Sequence, residues 1–169
     1  AKAGEVVPAL KAYHALAERY FHREIALEGG WTTLVGPWVA GQIRELVANG
    51  PPNAYVEWDL LALNALNQAR QEGSPEALRR VVARYPASRH AMEAQFLLGE
   101  FYMERRAWPQ AIQEWRRFRR FFPRAPRGAD ACAALARALA REGLAEEAEQ
   151  ALEILEQQYP RELLSEGNL

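Results

Sequence analysis

The chain of 169 residues has little of several residue types on which particular folds and chemistries depend. Its one cysteine, Cys132, cannot form an internal disulfide, so the fold needs no oxidising compartment. No apolar run approaches the roughly 20 residues of a membrane-spanning helix, so we expect no transmembrane segment. The first ten residues show neither the basic nor the apolar region of a signal peptide.

Residues that commonly carry chemistry are also scarce. The three histidines are His14, His22 and His90, and helical rise would hold the first two about 12 Å apart, which is too far to share one metal ion. Phosphate-binding glycine loops, GxSxG and HExxH motifs are missing. We expect Cys132 to be a buried, inert thiol. The sequence therefore predicts no enzyme activity, no cofactor and no metal.

What the chain has in abundance favours helices. Ala occurs 31 times, Leu 20 times and Glu 20 times, and 49% of residues are hydrophobic. These residue types lose little free energy on entering a helix. Together with enough length for a sizeable core, this composition predicts an all-α fold.

A repeat organises the sequence. Three prolines follow aromatic residues, at Tyr85-Pro86, Phe122-Pro123 and Tyr159-Pro160, and successive prolines are 37 residues apart. The same offset aligns apolar and small residues. The aligned sets are Leu61, Leu98 and Leu135; Ala62, Gly99 and Ala136; Leu78, Trp115 and Leu152; Val81, Phe118 and Leu155.

Each repeat reads as two helices. Between Met92 and Tyr102 apolar residues recur at helical spacing, and a turn over residues 105–108 ends this helix. Pro109 suits the first turn of the next helix, and Pro123 ends it. The small residues Gly99 and Ala111 would let the backbones of the two helices approach each other closely. Because neither helix can bury its stripe alone, the pairs should stack.

This pattern resembles the tetratricopeptide repeat (TPR) family. The matching positions of the unit 87–123 are Leu98, Gly99, Tyr102, Ala111 and Pro123. The preceding Tyr85-Pro86-Ala87-Ser88 is similar to a variant frequent in bacterial envelope proteins, among them an outer-membrane assembly lipoprotein and a cell-division coordinator. Those proteins are scaffolds without catalytic activity, so the resemblance implies partner binding and favours the cell envelope or periplasm over the cytoplasm.

The resemblance implies one TPR-like domain over residues 1–169, a solenoid of about four antiparallel helix pairs, or about eight helices. Units are expected at 52–86, 87–123 and 124–160, followed by a tail at 161–169. A degenerate first unit at 9–51 should be interrupted by an insertion at 23–38.

In this family the inward-facing residues of each first helix line a concave groove. Carried over by position, the groove residues are Asp59, Leu63, Glu93, Phe96, Glu100, Met103, Arg137 and Arg141. Such an acidic, partly apolar floor favours a partner that carries Lys or Arg beside an aliphatic anchor. The alternative is that these side chains pack against neighbouring helices.

Charge is strongly divided although the net charge is −1. Residues 105–127 hold eight Arg and one Glu, whereas residues 142–166 hold eight Glu and one Arg. The alternatives are a solvated face neutralised by nearby Glu, and a docking patch for an acidic protein, a phospholipid headgroup or, least favoured, nucleic acid. The basic patch comprises Arg116, Arg117, Arg119 and Arg120.

The insertion offers a third candidate surface. Trp31, Leu34 and Trp38 are large apolar residues in a segment broken by Gly and Pro. Tryptophan is enriched where interfaces concentrate their binding energy. The alternative is that the insertion folds back and covers the first helix pair.

The sequence therefore predicts a scaffold or adaptor that binds partner proteins through its groove or its arginine-rich face and has no small-molecule substrate. Two alternatives stay open. One is an adaptor for membrane surfaces or anionic lipids, and the other is a structural part of a larger multi-subunit assembly.

Overall fold

The computed structural model describes residues 3–159 and confirms the all-α fold. Eight helices and one two-stranded sheet lie in this range, and neighbouring helices pack in a repeat-like arrangement. Pro160 and the predicted tail at 161–169 lie outside the described residues. The chain forms two compact units, Ala1–Ala94 and Gln95–Leu169.

The division between the units falls inside α5 (Arg89–Glu104). Before it, the elements are α1 (Ala3–Tyr20), β1 (Glu24–Ala26), β2 (Thr32–Leu34), α2 (Val35–Ala48), α3 (Val56–Glu72) and α4 (Pro75–Arg84). After it, they are α6 (Trp108–Phe121), α7 (Gly128–Glu142) and α8 (Ala145–Gln158).

The predicted insertion is largely a β-hairpin, which the sequence did not suggest. β1 pairs antiparallel with β2, with Glu24 opposite Leu34. Gly29 and Gly30 have φ values of 89° and 79° and supply the left-handed turn between the strands. Helix α2 begins at Val35, so the end of the predicted insertion, including Trp38, belongs to this helix.

In the first unit, α3 and α4 meet at a sharply defined turn. Gly73 ends α3 in the left-handed conformation, with φ of 62°. Ser74 then caps α4, since its hydroxyl accepts a hydrogen bond from the Ala77 backbone N–H at 3.2 Å. The core side chains of this pair are Trp58, Ala62, Leu66, Ala69, Ala77, Leu78 and Val81.

In the second unit, an unusually close contact joins α5 to α6. A Cβ atom placed on Gly99 would lie only 2.4 Å from the indole of Trp115, so only glycine fits there. Phe96 meets Trp115 and Phe118 edge-on, with ring centroids 4.8 and 5.5 Å apart. Phe96, which precedes Gly99 on α5, reaches Phe118, which follows Trp115 on α6, so the two helices run antiparallel.

Helices α7 and α8 pack through small residues. The inner face of α7 includes Ala131, Cys132 and Ala138, all fully buried. A Cβ on Gly128 would lie 2.2 Å from the Tyr159 hydroxyl, which places the start of α7 against the end of α8. This pair is therefore antiparallel as well.

The 37-residue register holds for the small positions but not for every apolar one. Ala62, Gly99 and Ala136 are all buried. Leu61 and Leu152 are 47% and 46% exposed. Alignment alone therefore did not identify which leucines enter the core.

An aromatic cluster encloses His14 in the first unit. Its ring stacks on Trp58 with centroids 5.0 Å apart, and Nε2 lies 3.1 Å from the Tyr55 hydroxyl. The pKa of His14 is lowered from 6.5 to about 4, chiefly by desolvation on burial; Glu18 opposes this change and Arg84 contributes to it. The ring is therefore neutral at pH 7 and serves the packing of α1 on α3.

The contact between Gly99 and Trp115 predicts that a methyl group added at residue 99 destabilises the fold, whereas one added at residue 41 does not. Gly99→Ala should destabilise the chain by about 1–3 kcal/mol, because the Trp115 indole must move within a filled core. Gly41→Ala is the matched control, since nothing lies within 4 Å of its Cβ position. That variant should gain about 0.5–1 kcal/mol in urea unfolding. Equal effects of the two variants would contradict the proposed contact.

The His14 cluster predicts a pH dependence of stability. The folded pKa lies below the unfolded value, so His14 stabilises the fold fully above about pH 6.5, and that stability is lost as the pH falls toward about 4. Thermal unfolding midpoints should fall between about pH 7 and pH 5. His14→Gln should flatten this slope, whereas replacing the exposed His22 by Gln should preserve it. An unchanged slope in His14→Gln would refute the assignment.

Candidate functional site: an arginine-lined groove in the second unit

A concave groove of about 430 Å³ opens on the second unit. It lies between the last turn of α5, the first turn of α6 and the last two turns of α7. Its lining residues are Met103, Trp108, Arg137, Ala140 and Arg141. Arg106 borders an adjoining depression together with Trp108 and Arg141. We call these six residues the arginine groove.

The turn between α5 and α6 places Arg106 beside Trp108. The Ala107 N–H donates to the Tyr102 carbonyl and the Arg106 N–H to the Met103 carbonyl, both at 3.0 Å. This is the hydrogen-bond pattern of a Schellman helix end. Trp108 then starts α6 immediately after the turn, so that it lines the groove.

Arg106 occupies a backbone conformation that normally belongs to glycine. Its φ is 55°, the one positive value among non-glycine residues of the described chain. The same hydrogen-bond pattern recurs 37 residues later, where Gly143 has φ of 86°. A side chain in this conformation costs about 1 kcal/mol or more. The strain is thus located at the rim of the groove.

The groove holds positive charge that the described residues do not neutralise. No ion pair within residues 3–159 involves Arg106, Arg137 or Arg141. Arg137 and Arg141 are separated by one helical turn of α7, so they project from the same face. Elsewhere arginines have carboxylate partners. Examples are the pairs Arg70–Glu93, Arg80–Glu72, Arg84–Glu18 and Arg117–Glu114.

The structure brings together only part of the groove predicted from the sequence. Met103, Arg137 and Arg141 line the arginine groove. Phe96 is 3% exposed and its ring is covered by the guanidinium of Arg127, 3.4 Å from the centroid. Met103, Arg137 and Arg141 are thus accessible to a partner, whereas Phe96 is not.

The other predicted groove residues have local roles. In the first unit, Asp59 accepts a hydrogen bond from the Ser88 hydroxyl, Glu93 pairs with Arg70 at 3.2 Å, and Leu63 is half-buried. In the second unit, Glu100 pairs with Arg127 at 3.7 Å. The predicted acidic floor is therefore largely occupied by internal contacts.

Sequence reasoning missed Trp108 and Arg106, which were assigned only to a turn. The signal was nevertheless present. Under the 37-residue offset Arg106 aligns with Gly143, and an arginine in register with a glycine at a helix end marks an unusual position.

Two of the four arginines of the predicted basic patch on α6 form ion pairs within the described chain. Arg116 pairs with Glu147, and Arg117 pairs with the buried Glu114 at 3.1 Å. Neither Arg119 nor Arg120 has an ion pair within the part of the chain that the structure describes. Two of the four arginines of the patch are therefore neutralised internally.

The three apolar residues predicted as a docking surface in the insertion differ in exposure. Trp31 is 75% exposed beside the hairpin turn, and Leu34 is 39% exposed. Trp38 is half-buried and packs edge-on against Tyr13, with ring centroids 5.8 Å apart. Trp38 thus helps to hold α1 against α2, and Trp31 is the accessible aromatic residue of this segment.

Burial also shifts the pKa of Cys132 and the pKa of His90. Burial raises the pKa of the Cys132 thiol, opposite to what an activated nucleophile needs; Arg119 opposes the shift. Desolvation is also the main cause of a lowered pKa at His90. Among residues 3–159 no three metal-ligating side chains cluster, and no helix has the length and apolarity needed to cross a bilayer.

The strained turn predicts a gain in stability when its side chain is removed. Arg106→Gly should raise the free energy of unfolding by about 0.5–1 kcal/mol. Relief of the strain in the left-handed conformation outweighs the conformational entropy that glycine loses on folding. The aligned Gly143→Ala should lose a similar amount, although its Cβ would meet nothing within 4 Å. Urea unfolding checks both variants. A less stable Arg106→Gly would show that Arg106 supports the fold.

Comparison with known proteins does not assign the chain to a family. No family model matches the sequence, and no curated protein matches it significantly. Function must therefore be inferred from the groove, from its charge and from the repeat itself.

Proposed function

We propose that this chain is a non-catalytic protein–protein interaction module of the tetratricopeptide type, and that it binds a partner through the arginine groove. One observation carries the proposal: three arginines without ion pairs in the described chain surround an apolar floor. A surface of this kind is suited to holding a partner, because arginine and tryptophan recur where interfaces concentrate their binding energy.

The composition of the groove indicates which partner segment fits. Met103, Ala140 and the indole of Trp108 offer an apolar floor for one aliphatic or aromatic side chain. The guanidinium groups of Arg137 and Arg141 can each hold a carboxylate through paired hydrogen bonds. We therefore infer an acidic segment with an apolar anchor, in place of the basic partner that the sequence favoured.

Rigid presentation supports the same function. The groove is formed by the ends of α5 and α7 and the start of α6. These helices are closely packed, since Gly99 lies against the Trp115 indole and Ala138 is fully buried. A preformed surface loses little conformational entropy on binding, so most of the ordering is borne by the partner. The strain at Arg106 fits a residue retained for its side chain at the surface.

Binding to an anionic membrane surface is the second candidate. Arg119 and Arg120 lack ion pairs in the described residues and would be available to lipid headgroups. A concave groove suits a protruding peptide better than a flat bilayer, which favours the protein partner. Service as a structural part of a larger assembly would use the same groove against a neighbouring subunit.

A peptide-display selection tests the proposal. Random peptides about 15 residues long, selected on the whole chain at low protein concentration, should become enriched in Asp and Glu around one Leu, Ile, Phe or Trp. Binding of the selected peptides, measured by fluorescence anisotropy, should weaken at least about tenfold in Arg137→Glu/Arg141→Glu. Trp108→Ala should weaken it by a comparable factor through loss of the apolar contact.

The matched control for charge is Arg120→Glu/Arg124→Glu. This variant changes net charge by the same amount at exposed residues outside the groove, and it should keep wild-type affinity. Equal losses in both double variants would indicate attraction by overall charge. Selected peptides that ignore Arg137, Arg141 and Trp108 would refute the proposed groove.

A further inference from the structure

The outer face of α8 carries negative charge that the described chain leaves unpaired. Four exposed glutamates are spaced three or four residues apart, so they form one stripe along the helix. No ion pair within residues 3–159 involves them, whereas the neighbouring Glu147 pairs with Arg116. The acidic stripe comprises Glu146, Glu149, Glu153 and Glu156.

An apolar side chain stands beside the acidic stripe. Leu152 is 46% exposed and lies one turn from both Glu149 and Glu156. The buried face of α8 consists of Ala148, Ala151 and Leu155. Leu152 is thus an aliphatic residue directed away from this core and flanked by carboxylates.

The acidic stripe has the chemistry that the arginine groove selects. The groove offers an apolar floor with cations at Arg106, Arg137 and Arg141, and α8 offers Leu152 with carboxylates on either side. Arg137 and Arg141 are four residues apart on one helix, and Glu149 and Glu153 are four apart on another. The two pairs therefore match in spacing as well as in sign.

We propose that the acidic stripe of one copy docks in the arginine groove of a second copy, with Leu152 on the floor formed by Met103 and Trp108. The inference rests on the proposed function, because it takes the groove to be the binding surface and names this chain as one of its partners. An external acidic segment and a second copy would then compete for the same site.

The contact is heterologous, and this has two consequences. The groove and the stripe are different surfaces, so a bound pair still exposes one of each and can add further copies. One helix face in one groove buries less surface than a standard stable interface, so association should be weak and dependent on concentration. Exposed charges dominate it, so added salt should weaken it.

Charge exchange between copies is the direct test. Sedimentation equilibrium of the wild-type chain, over a roughly hundredfold concentration range at low salt, should show reversible association. Arg137→Glu/Arg141→Glu and Glu149→Arg/Glu153→Arg should each reduce the association constant at least about tenfold. An equimolar mixture of the two variants should restore it, because each reversed surface then meets an opposite charge.

Two further variants separate this contact from general charge effects. Arg120→Glu/Arg124→Glu should associate as the wild type does, and Leu152→Ser should weaken association without any change of charge. Circular dichroism melts confirm that each variant is folded. A monomeric wild type over the whole range, or a mixture that fails to restore association, would overturn the proposal.

The outcomes distinguish this inference from the function on which it rests. A chain that stays monomeric but binds selected peptides through Arg137 and Arg141 refutes self-docking and leaves the proposed function standing. A chain that associates by charge exchange but selects no peptides shows a groove devoted to its own copies. A chain that does neither refutes both.

Discussion

Each helix pair depends on one constraint: an apolar stripe that a single helix cannot bury must find a matching stripe at short distance. In the second unit the contact of Gly99 with Trp115 satisfies it, because the missing side chain lets a large indole enter the interface. Phe96 and Phe118 then close around the indole. The helix ends, the turn at Arg106 and the groove all take their positions from this packing.

The turn after α5 shows how a repeated backbone motif can carry a different surface in each copy. The hydrogen bonds that end α5 and α7 are the same, offset by 37 residues. Gly143 adopts the left-handed conformation freely, whereas Arg106 adopts it under strain. Because glycine would serve the fold better at this position, the proposed function explains the arginine by its side chain at the groove.

Local signals in the sequence predicted much of the helical fold and less of the candidate site. Pro109 and Pro123 bracket α6 as expected, because proline's missing N–H acts within one turn. The hairpin at 24–34 was missed, since strands of three residues are too short to show alternation. The fates of Glu93 and Phe96 depended on Arg70 and Arg127, partners that only the folded chain brings near.

Charge has a similar dependence on folding. A net charge of −1 conceals a basic segment and an acidic segment, and the fold decides which of their charges meet. Arg116 meets Glu147 and Arg117 meets Glu114, which leaves the groove arginines and the glutamates of the acidic stripe without ion pairs in the described chain. Exposed pairs add little stability, so neutralising the remainder would benefit the fold only slightly. Under the proposed function the remaining charge would serve recognition, because opposite unpaired surfaces raise the rate and the selectivity of encounter.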